Sequence, residues 1–170
     1  ARVIVRPFRL ATEPRGLNPT DMVRATHIVD RIIALDPAIA QRLLAEVLEN
    51  FQGRHRNLLA TFEARAEAME GAFLPRRAFT KVQRQLVGAY FLHEYSFEAA
   101  ALFNPSMVPH PDQSALQSGQ RRVVVSLRAV GEGHVSSLTF RSGIVTADGT
   151  VVIDPTALLA SIPHLQRHVA

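Results

Sequence analysis

Apolar residues recur at helical spacing through the first half of the chain and at strand spacing through much of the second. Met22, Ala25, Val29, Ile32 and Ile33 fall on one helical face. Asp36-Pro37 is a start signal for a second helix, whose stripe of Ile39, Leu43, Leu44, Val47, Leu48 and Phe51 is expected to close at Gly53. Leu58, Phe62, Ala66, Met69 and Phe73 mark a third helix, and Phe79, Val82, Leu86, Ala89 and Tyr90 a fourth. Ahead of them, Arg2–Phe8 alternates charged and apolar residues and reads as a short strand, with Pro7 confining it to an edge or an end. Pro14, Gly16 and Asn18-Pro19 form the loop that delivers the first helix.

Beyond Tyr95 the pattern turns proline-rich and strand-like. Arg122–Leu127 (RVVVSL) has a β-branched centre and reads as a buried strand. A turn at Gly131–Gly133 leads to Val135–Phe140, and Ala147–Thr150 is a hairpin turn into Val151–Ile153. The expected fold class is α+β: a strand and about four helices over 1–95, then an antiparallel β meander over 96–170. A meander of a few short strands cannot bury both of its faces, so it calls for helices or further strands against it. The apolar segment Ala157–Ile162 is short, and no closing signal follows it, so the chain reads as a fragment of a larger architecture.

Composition narrows the chemistry. With no cysteine, disulfides, thiolate metal sites and cysteine nucleophiles are excluded. No apolar run approaches membrane-spanning length, and Arg2, Arg6 and Arg9 interrupt the N-terminal segment, so a cytoplasmic protein without membrane attachment is expected. Residues 1–90 hold 14 basic and 9 acidic groups and residues 91–170 hold 5 and 6, which places the basic excess in the helical half. The arginines there are interleaved with acids and form no single stripe, so a nucleic-acid or anion binder ranks last among the readings. Arg76, Arg77, Lys81 and Arg84 gather at the start of the fourth helix, as a solvated face or as a subunit contact of a homo-oligomer.

The motifs for common active sites are missing. His27, His55, His93, His110, His134, His164 and His168 include no HExxH pair, and the four-residue step from His164 to His168 follows Pro163 in a short segment, so no metal is expected. Gly131-Glu132-Gly133-His134 has neither the lysine nor the frame of a phosphate loop. Ser126, Ser136 and Ser137 stand in no serine-hydrolase motif. What remains is a crowd of polar residues at strand ends in Ala101–Gly143: Asn104, Arg128, Glu132, His134 and Ser136. Turns beside strands let such side chains converge on a ligand, although a capped turn at Asn104, an Arg128–Glu132 ion pair and surface hydroxyls are, from chemistry alone, the simpler account.

That segment resembles the opening blade of glycoside hydrolase family 130, the β-mannoside phosphorylases and related hydrolases. The likeness rests on Phe103-Asn104, on the strand Val123–Arg128 ending in arginine, and on the hydroxyl-bearing strand Ser136–Phe140. The string SLRAVGEGHVSSLTFRSG at Ser126–Gly143 is similar to a bacterial, glycosidase-like branch of the family.

The resemblance implies that the meander is the first part of a five-bladed β-propeller and that Asn104 and Arg128 contact sugar hydroxyls, with Glu132, His134 and Ser136 as further substrate contacts. It implies an inverting phosphorylase or hydrolase of β-mannosides or related oligosaccharides, using no cofactor beyond inorganic phosphate as co-substrate in a phosphorylase. The family's catalytic aspartate lies in a Glu-Asp motif followed by proline or alanine and arginine on a later blade. No such motif occurs here, and Asp154-Pro155 lacks its neighbours. The expected partners are therefore an oligosaccharide and the rest of the propeller, in the same polypeptide or a second chain. The chain alone is expected to be inactive. A non-catalytic sugar-binding or oligomerisation module is the alternative.

Overall fold

The computed structural model describes residues 2–8, 19–72 and 78–161. The loop at Pro14–Asn18, Phe73, the arginines Arg76 and Arg77, and His164, Arg167 and His168 lie outside the described residues, as does the side chain of Met22. Four helices precede an antiparallel sheet, so the chain is α+β: β1 (Val3–Pro7), α1 (Pro19–Ile33), α2 (Pro37–Phe51), α3 (Leu58–Ala72), α4 (Lys81–Tyr90), β2 (Leu92–Ser96), β3 (Ala101–Pro109), β4 (Arg121–Val130), β5 (Ser136–Val145) and β6 (Val151–Ile153). The strands β1 and β2 pair with each other, and β3 to β6 form a four-stranded sheet in sequence order. By contact density the chain divides into Val5–Glu94 and a second unit made of Ala1–Ile4 and Tyr95–Ala170. Among the described residues, no helix is long and apolar enough to cross a membrane.

In the helical unit, local signals set the helix starts. Asp36 accepts from the amides of Ala38 at 2.8 Å and Ile39 at 3.4 Å, and Pro37 occupies a first-turn position where its missing N–H costs nothing. Thr80 and Gln83 form a reciprocal capping box at α4. The core is built from Ala25, Val29 and Ile32 of α1, Ala40 and Leu44 of α2, Leu58, Phe62, Ala66 and Met69 of α3, and Leu86, Val87 and Phe91 from α4 and its C-cap.

Two expectations shift here. Gly53 does not close α2 in a left-handed conformation: the helix caps at Gln52, which stays right-handed and donates to the Leu48 carbonyl. The inward face of α4 is also displaced from the predicted stripe, since Gln85, Leu86, Val87 and Gly88 are all buried while Tyr90 points out, 54% exposed. The reason is position. Helix α4 touches α1, α2 and α3, so a single stripe cannot serve it. At Gly88 an added Cβ would lie 1.8 Å from the Phe62 carbonyl oxygen, which shows how closely the α3 backbone approaches.

In the sheet unit, β4 is paired along its whole length with β5, from Arg121 opposite Val145 to Val130 opposite Ser136. Val123, Val125 and Ala129 are buried, while the intervening Arg122, Val124, Ser126 and Arg128 are not. The β-branched run read as a buried strand is therefore buried at alternate positions only. Asp148 organises the β5–β6 hairpin by accepting from the Thr150 amide at 3.1 Å, and Gly149 supplies the left-handed residue at φ 85°.

Candidate functional site

The sequence-derived site residues lie at one end of this sheet. Strand β3 is interrupted between Phe103 and Ser106 by a bulge that holds Asn104 and Pro105. Pro105 has no N–H for the ladder, and Asn104 takes the left-handed conformation at φ 53°, which asparagine tolerates better than most residues. The bulge sets Phe103 opposite Arg128, and on the other side Arg128 faces Leu138.

Arg128 is oriented from two strands at once. Its guanidinium carbon sits 5.1 Å from the centre of the Phe103 ring, and its Nε and Nη2 donate to Ser136 Oγ at 3.2 and 3.0 Å. A guanidinium carries five N–H donors, of which two are used, leaving three with no carboxylate partner among the described residues. The side chain is exposed. This is a fixed, unneutralised fork lying on an aromatic face, suited to hydroxyls or an anion.

Glu132 and His134 occupy a 3₁₀ turn between β4 and β5, in which Gly133 and His134 are both left-handed at φ 64° and 60°. The turn is tied at its base by the Gly131 amide, 3.0 Å from the Val135 carbonyl. Both side chains are exposed, and neither hydrogen-bonds to Arg128, so the alternative Arg128–Glu132 ion pair is not made. The structure thus joins Arg128 with Ser136, puts Asn104 next to the ring that supports them, and leaves Glu132 and His134 on the adjoining turn. Leu138 and Phe140, on the same sheet face as Arg128, are 70% and 50% exposed.

Two carboxylate centres escaped sequence reasoning. In the sheet unit, Glu98 Oε1 accepts from Arg2 Nη2 and Arg141 Nη2, each at 2.6 Å, and Thr139 Oγ1 accepts from both arginines. In the helical unit, Glu94 accepts from both sides of the Arg54 fork at 2.9 and 3.1 Å and meets His55 Nε2 at 2.5 Å. Burial pushes the Glu94 carboxyl up, but the hydrogen bonds from Arg54 and His55 outweigh it and hold the group below the ordinary carboxylate range. The two carboxylates are 39 to 96 residues from the basic groups that hold them, and no local pattern announces them. Among the described residues no group of three or more histidines and carboxylates could hold a metal ion.

The fold and site define an α+β chain with an arginine-centred polar cluster at the end of an antiparallel sheet. No family model, no curated protein and no solved structure matches the chain.

Proposed function

We propose that this chain is the N-terminal part of a cytoplasmic glycoside phosphorylase or hydrolase similar to family 130, acting on β-mannosides or related oligosaccharides, with its sheet contributing to a β-propeller. The observation that carries the reading is Arg128, held over Phe103 and against Ser136 with three donors free. A sugar ring presents vicinal hydroxyls to a planar fork and C–H bonds to an apolar neighbour, and the epimer is distinguished by which hydroxyls meet the donors. Asn104 and Ser136 add an amide and a hydroxyl at the same strand end. Inversion then needs an acid, and in hydrolysis a second carboxylate at roughly 6.5–9.5 Å from it, both supplied by residues outside these 170. The same fork serves the second reading, a non-catalytic glycan-binding module, which gains from the lack of a carboxylate beside Arg128 among the described residues.

Calorimetric titration with mannose-containing oligosaccharides tests the proposal. Arg128→Ala should weaken binding on the order of tenfold or more, through loss of several hydrogen bonds. The exposed position of Arg128 means that the variant should melt with the wild type. No heat with any mannoside, or wild-type affinity in the variant, would sink the reading.

A further inference from the structure

We infer that the helical unit holds a second ligand site, for a small neutral aromatic compound bearing one hydroxyl group. A cavity of about 140 Å³ opens in this unit, walled by Phe51, Leu58, Phe62 and Leu92, with His55, His93 and Glu94 as its polar lining. A pocket of about this volume accommodates one benzene-sized ring. The aromatic class follows from volume and lining.

The hydroxyl follows from the polar wall. His55 is held there with a side chain only 6% exposed, and its Nε2 is spent on Glu94. Each carboxylate oxygen accepts about two hydrogen bonds. Oε1 of Glu94 already takes Arg54 Nε and His55 Nε2, whereas Oε2 takes Arg54 Nη2 and keeps one lone pair. The wall therefore offers a charged acceptor, matched by an O–H donor on the ring. An anionic ligand would set carboxylate against carboxylate. An ammonium gains little, because the Arg54 fork already balances the charge of Glu94. The site is unconnected with the carbohydrate reading, and its failure would leave that reading untouched.

The probes are phenol, toluene and benzoate at millimolar concentration, read by thermal shift and by methyl NMR of the 170-residue chain. Phenol should raise the melting temperature and move the methyl signals of Leu58 and Leu92. Toluene should bind on the order of tenfold more weakly, for want of the hydrogen bond to a charged acceptor, and benzoate should not bind. Val47→Phe, which places a ring in the cavity its residue lines, should abolish the phenol response. If that variant does not fold, the wild-type methyl shifts decide alone. No response to phenol, equal affinity for toluene, tighter binding of benzoate, or shifts confined to other residues would each overturn the inference.

Discussion

Replacing Glu98 with glutamine removes the negative charge that Arg2 and Arg141 share, and leaves two guanidiniums facing each other. The side chains of Arg2, Glu98 and Arg141 are 17%, 11% and 9% exposed, so water can offset little of the change. Thr139 cannot take over, because its hydroxyl already accepts from Arg2 at 3.1 Å and Arg141 at 2.7 Å and carries no charge. Removing one member of a buried ion pair costs about 3–5 kcal/mol; the residual exposure and the oxygen that glutamine keeps place this case at the lower end, about 3 kcal/mol. For a chain of this length that corresponds to a fall in Tm of about 6–12 °C.

The pH dependence makes the test specific. Burial pushes the Glu98 carboxyl up, yet the hydrogen bonds from Arg2, Arg141 and Thr139, together with the Arg141 charge, hold it below its ordinary value. A depressed folded-state value means that the stabilisation is complete above the unfolded value, about 4.3, and is lost as pH falls through the lower folded value. Asp112, held down by Ser114, and Asp148, held down by Thr146, titrate in both proteins, so the difference between wild type and Glu98→Gln isolates Glu98. Circular-dichroism melts should show the full gap at pH 7 and a closing gap below pH ~4. Equal melting temperatures at pH 7, or a gap that does not close in acid, would refute the reasoning.

Gly88→Ala should destabilise the helical unit by more than about 2 kcal/mol despite alanine's better helix propensity, because the new Cβ meets the Phe62 backbone, which cannot rotate aside. A urea midpoint at or above that of the wild type would contradict the α3–α4 approach. Asp36→Ala should cost about 1 kcal/mol through loss of the α2 cap, and Asp36→Asn much less, both read from thermal melts.

The helices were legible because their determinants are local. Asp36-Pro37 and the stripes at three- and four-residue steps need only the neighbouring turn. The fourth helix was legible in existence but not in orientation, since its burial depends on three other helices. Strand β2 escaped notice because Leu92–Ser96 is five residues long, with His93 and Glu94 interrupting any apolar alternation and no β-branched residue among them. At the site, the β4–β5 hairpin brings Ser136 diagonally across from Arg128, so that contact follows from a short turn. The stacking on Phe103 depends on the extra residue of the bulge, where Asn104 and Pro105 oppose Leu127 alone, and the Glu94 and Glu98 centres depend on tertiary placement. Local sequence held no sign of them.

The sheet's two faces constrain what can share the molecule with an arginine site. Val123, Val125 and Ala129 are buried on one face, although Leu102, Met107, Val151 and Ile153 on that face are exposed; Val108, Leu138, Phe140 and Val152 stand exposed on the face that also bears Arg128. Exposed apolar surface of this extent is costly in water. A cover over all of it would bury the Arg128 fork with three unsatisfied donors, at a cost that few interfaces repay. The register separates the two demands only in part: Val108 and Val152 lie across from Val124 and Ile144, toward the opposite end of β4 from Arg128 and Ser136, whereas Leu138 pairs directly with Arg128. Further strands or a partner can therefore pack on the Val108–Val152 end while the Phe103–Arg128–Ser136 end stays open to a ligand.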